Sequence, residues 1–230
     1  MHISVIILAA GKGRRMEQNI NKQFLEVNGK PILSYTIEAF VAQEGIDEIV
    51  LVINPLEEKM IETKVLAHIE GERKNRIRIA YGGKERYNSV YNGLIALDEQ
   101  CEAVLIHDGA RPLISRAVIE KTIQTLKKHD GCLVGVKAKD TYKIVGPTME
   151  VKRTVCRDEL FQIQTPQGFK KHVILEAYKN AGDSFNKITD DGMMVEQFTD
   201  YKVIVIEGEY SNIKVTTPED LEIMKTLLKK

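Results

Sequence analysis

Residues 5 to 16 read VIILAAGKGRRM, an aliphatic run that passes through two alanines into a glycine-rich turn with three cations. The aliphatic run shows no polar alternation, which is typical of a strand that is covered on both faces. The glycines allow backbone amides to approach an anion closely. The stretch therefore predicts a strand covered on both faces, followed by a loop that either binds phosphate or is a solvated basic loop.

Similar strands recur along the chain and alternate with amphipathic segments. Strands are predicted at residues 3–8, 48–53, 77–81, 103–107, 133–137 and 202–207. The predicted helix faces are Leu33, Ile37, Phe40 and Val41; Tyr87, Val90, Leu94 and Leu97; and Ile119, Thr122, Ile123 and Leu126. A last helix is predicted from Pro218, capped by Thr217. This alternation predicts an α/β fold with a doubly wound, mostly parallel, Rossmann-like sheet, which binds ligands at the carboxyl ends of its strands.

Residues 140–165 interrupt the alternation. Their sequence, DTYKIVGPTMEVKRTVCRDELFQIQT, has two strand-like runs around GPT and no helical pattern, which predicts a protruding β-hairpin arm. An isolated hairpin is only marginally stable, so either a partner subunit or the rest of the chain must cover it. We expect a single domain over residues 1–230 that forms a homodimer through this arm.

The overall composition excludes several classes of protein. The 230 residues carry 33 Lys and Arg against 33 Asp and Glu, so no general basic surface is available for a nucleic acid. No apolar run approaches the roughly 20 residues of a membrane span, and no basic leader precedes the first apolar segment, so we expect a cytoplasmic protein. The three cysteines are too few and too scattered for a disulfide framework.

The glycine loop does not match the two common phosphate-binding motifs. A dinucleotide fingerprint requires a third glycine where Met16 stands, and the Walker pattern is absent. However, residues 1–30 contain five cations against two acids in a chain of zero net charge. The five cations are Lys12, Arg14, Arg15, Lys22 and Lys30. An anion that binds this protein is therefore expected to be held locally.

Two further segments place polar residues after predicted strands. GGKERYNSVYNGL, residues 82–94, begins a helix whose free amides can bind anions or polar ring edges. VLIHDGARPLI, residues 104–114, puts Asp108 just beyond a strand, where a carboxylate suits Mg²⁺ or another hard divalent cation. Arg111 follows on the same loop and has the alternative role of a surface ion-pair partner. We interpret His107 as a buried core histidine.

Eight motifs in order over essentially the whole chain carry a family resemblance. They are AAGKGRRM, KQFLEVNGKPIL, GGKERYNSVYNGL, HDGARPLI, KDT, TPQGF, TDDG and NIKVTTPEDL. Together they resemble the 2-C-methyl-D-erythritol 4-phosphate cytidylyltransferase family of the non-mevalonate isoprenoid pathway, a family of nucleotidyltransferases. The ribitol-5-phosphate cytidylyltransferases are also similar, but their glycine loop typically starts with two glycines. Ala9 and Ala10, with the sequence Gly109-Ala110-Arg111, favour the erythritol family.

The resemblance implies a role for each matching residue. The implied nucleotide-binding residues, for CTP, are Ala9, Ala10, Gly11, Gly13, Gly82, Gly83 and Ser89. The implied catalytic cations around the α-phosphate are Arg15, Lys22 and Lys214, and Asp108 is the implied magnesium ligand. The implied contacts to a small polyol phosphate are Arg111, Thr141, Arg157, Thr165, Thr189 and Asp190, of which the arm residues would act across the dimer interface. Lys84 departs from the acid that some family members carry there.

The implied reaction agrees with the residues present. A phosphate oxygen of the acceptor attacks the α-phosphorus of CTP, and because that phosphate is already ionised, no strong general base is required. Cations are needed to bring the two anions together. Two alternatives remain open at this point: a cytidylyltransferase for ribitol 5-phosphate or another polyol phosphate, and a nucleotide-binding module without catalysis.

Overall fold

Strands and helices alternate along the chain as predicted. The computed structural model describes residues 1–11, 21–182 and 188–229, without the side chains of residues 22 and 73. The strands are β1 Ile3–Ala9, β2 Glu26–Val27, β3 Lys30–Pro31, β4 Glu48–Ile53, β5 Ile77–Tyr81, β6 Ala103–Asp108, β7 Gly131–Lys137, β8 Lys143–Val145, β9 Val151–Thr154, β10 Phe161–Lys170 and β11 Val203–Glu207. The helices are α1 Ile32–Val41, α2 Glu58–Met60, α3 Arg86–Ile95, α4 Arg116–Leu126, α5 Lys171–Ala181, α6 Asp191–Phe198 and α7 Pro218–Leu227.

Seven of these strands form the central sheet, in the order β11-β7-β10-β6-β1-β4-β5. The pairs β1–β4, β1–β6, β4–β5 and β7–β11 are parallel, and β10 runs antiparallel to both of its neighbours. β1 lies between β4 and β6, where Val5 is level with Ile49 and Leu105. The mostly parallel α/β fold is thus confirmed, and the aliphatic run of the opening stretch is an interior strand of the sheet.

β10 corrects the predicted boundary of the arm. Only β8 and β9 form the exposed hairpin, whereas residues 161–165, which we had included in the arm, belong to the central sheet. The strand was missed because it contains buried Gln164 and Gln167 and a proline, Pro166. A register shift between Ile163 and Gln167 accommodates the proline, which has no amide hydrogen to donate to the ladder.

The helices cover both faces of the sheet. On one face, α1 and α4 bury side chains such as Phe40 and Ile123 against the inward residues of β1, β4 and β6. On the other face, α3, α5 and α6 bury side chains such as Leu94, Ile174 and Met194. This two-sided burial explains why the strand sequences are continuously apolar. None of the helices within the described residues is long and apolar enough to cross a membrane.

Helix ends next to the strand carboxyl ends are capped by side chains. Thr217 and Asp220 form a reciprocal capping box at the start of α7, as the sequence predicts for Thr217. Ser115 accepts a hydrogen bond from the amide of Val118 at the start of α4. The helices therefore begin at defined residues beside the loops that form the site. Cys101, Cys132 and Cys156 are free thiols.

Candidate active site

A cleft of about 650 Å³ lies at the carboxyl ends of β1, β5 and β6. Its size is in the range typical of small-molecule sites. Of the residues predicted for the site, the cleft is lined by Ala9, Ala10, Gly11, Gly83, Ser89, Asp108 and Lys214. Lys84 and Arg86 also line it, so Lys84 faces the site despite its departure from the family pattern. The topology thus brings distant segments to one edge of the sheet.

Gly82 allows the ends of β1 and β5 to come together. A Cβ atom at this position would lie 2.2 Å from the Cβ of Ala10 and 2.9 Å from the Oγ of Ser89. No side chain larger than hydrogen fits such a distance without displacing the end of β1. Only glycine at position 82 allows this close packing against Ala10 and Ser89. The two strand ends leave room for a ligand beside exposed Gly11.

The start of α3 is held by hydrogen bonds within the turn. The hydroxyl of Ser89 accepts from the amide of Gly83 at 3.1 Å and donates to the carbonyl of Glu85 at 3.2 Å. Glu85 and Asn88 form a capping box. Ser89 was predicted to contact the nucleotide, but in this structure its hydroxyl orients the Gly83 turn.

Asp108 is the centre of a cluster of cations. Its carboxylate lies 2.8 Å from the Nζ of Lys214, 3.7 Å from the Nε of Arg86 and 3.9 Å from the Nε of Arg111. Burial alone would raise the pKa of Asp108, but these three cations outweigh it and hold that pKa well below its usual range. The group is therefore an ionised carboxylate among an excess of positive charge.

Arg86 connects this cluster to α6. Its guanidinium donates two hydrogen bonds to Asp191, at 3.0 and 2.7 Å, in the bidentate geometry typical of strong pairs. Burial raises the pKa of Asp191, whose side chain is only 2 % exposed, while Arg86 acts in the opposite direction. From the sequence, Arg86 was expected only within the segment that begins a helix, and Asp191 was missed although it stands in the quoted motif TDDG.

Asp190, the neighbouring acid that was predicted to contact the acceptor, uses both carboxylate oxygens within the chain. One oxygen accepts from the amide of Met193 at 2.9 Å and thereby caps α6. The other accepts from the side-chain amide of Gln167, also at 2.9 Å. Exposed Thr189 donates weakly to the sulfur of Met193. The TDDG segment is thus fixed by α6 and by β10.

Arg111 is a buried cation with unused hydrogen-bonding capacity. Its Nη1 donates to the carbonyl of Asn212 at 2.8 Å, and its residue exposure is 8 %. Its Nε has no hydrogen-bond partner among the described residues. Burial lowers the pKa of Arg111. A buried guanidinium with a free donor is suited to binding an anion.

His107 lies beneath the cluster and confirms the interpretation of a buried histidine. It is fully buried, and burial lowers its pKa to about 4. Its Nε2 lies 3.1 Å from the carbonyl of Arg111, and its Nδ1 lies 3.0 Å from the hydroxyl of Thr165. Thr165 also accepts from the amide of Asp108. Thr165 was predicted as an arm residue, but it is buried in β10 beside the site.

The remaining predicted residues are either on the arm or outside the described residues. Thr141 and Arg157 are exposed residues of the arm and are not among the described residues that line the cleft. Arg157 donates to the carbonyl of Lys139 at 3.3 Å. Gly13 and Arg15 lie outside the described residues, as does the side chain of Lys22. The structure therefore brings together the Asp108, Arg111 and Lys214 part of the predicted site.

The donor set fits magnesium only together with a ligand. Within the described ranges, no group of three or more His, Cys, Asp or Glu side chains is arranged to hold a metal ion. Asp108 supplies one ionised carboxylate at the cleft. Magnesium in nucleotide sites is commonly bound by one or two carboxylates and by the phosphates of the ligand. Asp108 is compatible with that arrangement.

Comparisons with known proteins identify the family of this chain. The family model for 2-C-methyl-D-erythritol 4-phosphate cytidylyltransferase matches residues 3–230. A protein of that name from Alkaliphilus oremlandii is 44 % identical over 226 residues, which cover 98 % of this chain and 94 % of the relative. One from Caldanaerobacter subterraneus subsp. tengcongensis is 40 % identical over the full length of both chains.

Solved structures give the same result at the level of the fold. The crystal structure of 4-diphosphocytidyl-2C-methyl-D-erythritol synthase from Anaerococcus prevotii is similar with a TM-score of 0.88 and 40 % identity. The alignment covers 100 % of this chain and 99 % of that one. The chain belongs to the 2-C-methyl-D-erythritol 4-phosphate cytidylyltransferase family.

Proposed function

We propose that this protein transfers the cytidylyl group of CTP to 2-C-methyl-D-erythritol 4-phosphate and releases pyrophosphate. The observation that carries the proposal is the cluster of Lys214, Arg86 and Arg111 around Asp108, at the strand ends of a chain that belongs to this family. A site for two phosphate-bearing substrates must offset their mutual repulsion, and this cluster supplies positive charge at one place.

The reaction needs little covalent chemistry from the protein. An oxygen of the acceptor phosphate forms a bond to the α-phosphorus of CTP, while the bond between that phosphorus and the oxygen bridging to the β-phosphate breaks. Pyrophosphate leaves with the electron pair. Catalysis then depends on positioning and on stabilising the charge that develops on the phosphoryl oxygens.

The cations divide between the two substrates. We assign Lys214, together with Arg15 and Lys22, to the α-phosphate of CTP, because Lys214 lines the cleft beside Asp108. We assign Arg111 to the acceptor phosphate, because its guanidinium lies 3.9 Å from the carboxylate of Asp108 and its Nε has no hydrogen-bond partner among the described residues. Arg86 is a half-buried cation of the same cleft and adds to the positive potential.

The nucleotide would lie along the ends of β1 and β5. Backbone groups of Ala9, Ala10 and Gly11 would face the triphosphate, and Gly82 and Gly83 would lie beside the base. Support comes from the close approach of these strand ends and from the ordered turn that Ser89 holds. Such pre-organised backbone donors bind anions without a cost of reorganisation.

We assign Asp108 as the residue that would hold Mg²⁺, shared with the phosphates of CTP. The ion would neutralise and orient the triphosphate. In this structure the same carboxylate contacts Lys214. We therefore expect Lys214 to exchange this contact for one with the nucleotide when CTP binds.

The arm supports a homodimer. Its exposed apolar side chains are Tyr142, Ile144, Val145, Met149 and Val151. A two-stranded ribbon with such side chains needs a covering surface. Thr141 and Arg157 do not line the cleft of their own chain, and a second copy would bring them to the acceptor phosphate in the partner's cleft.

The decisive experiment measures pyrophosphate release from CTP and Mg²⁺ with each acceptor in turn. We expect release with 2-C-methyl-D-erythritol 4-phosphate, and a kcat/KM far below this value with ribitol 5-phosphate. Faster turnover with ribitol 5-phosphate would reassign the acceptor. No release with either acceptor, while CTP still binds, would support a non-catalytic nucleotide-binding protein.

A further inference from the structure

We propose that His107 is a positioning residue, whose imidazole is protonated at Nε2 alone and holds both the Arg111 loop and the end of β6 at the cleft. It contacts no ligand itself, because it is fully buried beneath the site. His107 is not a member of the cation cluster around Asp108. The expected changes in kcat and KM rest on the proposed function, whereas the tautomer does not.

The tautomer follows from the nature of its partners. Nε2 lies 3.1 Å from the backbone carbonyl oxygen of Arg111, which can only accept a hydrogen bond. Nε2 must therefore carry the hydrogen. Nδ1 of a neutral ring is then an acceptor, and it lies 3.0 Å from the hydroxyl of Thr165, which donates to it.

The hydroxyl of Thr165 links the ring of His107 to the backbone of Asp108. Having donated its hydrogen to His107, the oxygen accepts from the backbone amide of Asp108 at 3.1 Å. The three hydrogen bonds thus run in one direction, from the Asp108 amide through Thr165 to the ring and on to the Arg111 carbonyl. Reversal of the tautomer would leave two acceptors in contact, the bare Nε2 and the carbonyl oxygen of Arg111.

The ring itself is held in place. Its edge packs against Phe40 of α1, with ring centroids 4.8 Å apart and an angle of 64° between the planes. A buried and fully paired ring of this kind cannot rotate without losing both hydrogen bonds. One side chain therefore fixes the backbone of two residues that we assign to different substrates, Asp108 to the nucleotide and Arg111 to the acceptor.

Nitrogen NMR of protein labelled with ¹⁵N-histidine tests the tautomer without reference to activity. The chain has five histidines, and the signals of His107 are identified by their loss in His107→Gln. We expect a ring with its hydrogen on Nε2 and a bare Nδ1 at neutral pH. A hydrogen on Nδ1, or rapid exchange between both tautomers, would overturn the proposal.

Two amide substitutions each remove one of the two hydrogen bonds of His107 and keep the other. In His107→Asn the amide oxygen reaches the position of Nδ1 and keeps the contact with Thr165, but the carbonyl of Arg111 loses its donor. In His107→Gln the amide reaches the position of Nε2 and keeps that donor, while Thr165 loses its acceptor. The exposed His129→Gln variant is the control, with no change expected.

The two variants are expected to differ in which kinetic constant they change. His107→Asn should mainly raise the KM of the acceptor, by about tenfold, and His107→Gln should mainly lower kcat, by about tenfold, as for loss of one buried hydrogen bond. A merely structural role would instead lower kcat in both variants in proportion to the loss of folded protein, with KM unchanged. That result, or two unchanged variants, would contradict the proposal.

Thr165 gives a second route if either histidine variant does not fold. Thr165→Val keeps the shape but removes the hydroxyl, and Thr165→Ser restores it. We expect kcat to be at least about tenfold lower for the valine variant than for the serine variant. Equal kcat values would overturn the proposal. If the wild type released no pyrophosphate with any acceptor, the proposed function would fail, and the NMR result would still decide the tautomer.

Discussion

Lys214 is held at the cleft by an ion pair with Asp108. Its ammonium lies 2.8 Å from the carboxylate of Asp108, and its side chain remains 41 % exposed toward the cleft. A cation so placed should stabilise the charge that develops on the α-phosphate. We therefore expect Lys214→Ala to lower kcat by about a hundredfold or more, as for loss of one donor in comparable sites.

Steady-state pyrophosphate release measures this effect, with Lys225→Ala as the matched control. Lys225 lies on α7, where it pairs with Glu222 away from the cleft. Its loss should leave turnover unchanged and alter stability by no more than about 0.5 kcal/mol. Near wild-type turnover in Lys214→Ala would remove Lys214 from the chemistry.

His107 gives the protein a specific dependence of stability on pH. Its pKa falls to about 4 in the folded state, chiefly because burial disfavours the charged ring. The hydrogen bond with the Arg111 carbonyl and the charge of Asp108 raise the pKa, whereas the charges of Arg111 and Lys214 lower it, and burial outweighs them. Below pH about 6.5 the unfolded chain binds a proton at this residue that the folded protein does not bind. The free energy of unfolding should therefore fall by up to about 3 kcal/mol between pH 6.5 and pH 4.

Urea unfolding at several pH values, without divalent cations, checks this expectation. His107→Gln lacks the titrating group, so its stability should fall less steeply over the same pH range. The difference between the two slopes isolates His107 from the other titrating groups. Identical slopes would show that the ring is already protonated, or accessible to water, in the folded protein.

Some residues of the site could be predicted from the sequence, and others could not. Asp108 is the last residue of the buried strand β6, and Arg111 follows it by three residues, so predicting the strand was sufficient to place both at the edge of the sheet. Asp191 could not be predicted, because its partner Arg86 lies 105 residues away and only the folded chain brings them together. Thr165 was assigned to the arm because its neighbours do not show the apolar run of a central strand.

At the level of elements, the pair formed by Arg86 and Asp191 connects the start of α3 to the start of α6. The carboxylate of Asp191 is buried, while the arginine side chain is 33 % exposed. We expect Asp191→Asn to lower the free energy of unfolding by about 2 to 3 kcal/mol, less than for a fully buried pair, since water still reaches Arg86.

Chemical denaturation of a double-mutant cycle with Arg86→Met measures the coupling between the two side chains. The exposed Asp200→Asn variant, just beyond α6, is the control and should change stability by less than about 0.5 kcal/mol. Strictly additive effects of the two substitutions would show that the ion pair does not couple the helices.

The strands β1, β4 and β6 were predicted from continuous apolar runs, because both of their faces are covered by helices. β10 was not predicted as a sheet strand, since its sequence, FQIQTPQGFK, contains polar residues that are satisfied only by tertiary contacts. For example, the side chain of Gln164 donates to the carbonyl of Glu209 at 2.8 Å. The pattern of apolar and polar residues along the sequence cannot identify a buried glutamine whose hydrogen-bond partner lies in a distant segment of the chain.

At the scale of the whole molecule, we propose that the arm mediates the assembly of a homodimer. Ile144 and Val151 are exposed on β8 and β9, at 38 % and 61 %. We expect the wild type to sediment as a dimer at micromolar concentration, and Ile144→Lys with Val151→Lys to raise the dissociation constant by at least about a hundredfold, since charges replace buried apolar contacts.

Analytical ultracentrifugation over a concentration series measures this shift. Leu56→Lys is the matched control, because Leu56 is 92 % exposed on a different loop, after β4. If turnover falls together with dimer content in the arm variant, the partner subunit completes the site. A wild type that is monomeric at these concentrations would contradict the role of the arm.

The central claim is that the strand ends collect positive charge so that two phosphates can meet. A crystal structure with CTP and Mg²⁺ tests it most directly. We predict that the Nζ of Lys214 leaves Asp108 and lies about 3 Å from an α-phosphate oxygen, with the metal on Asp108. An α-phosphorus that faces neutral or acidic groups, far from Lys214, would contradict the account.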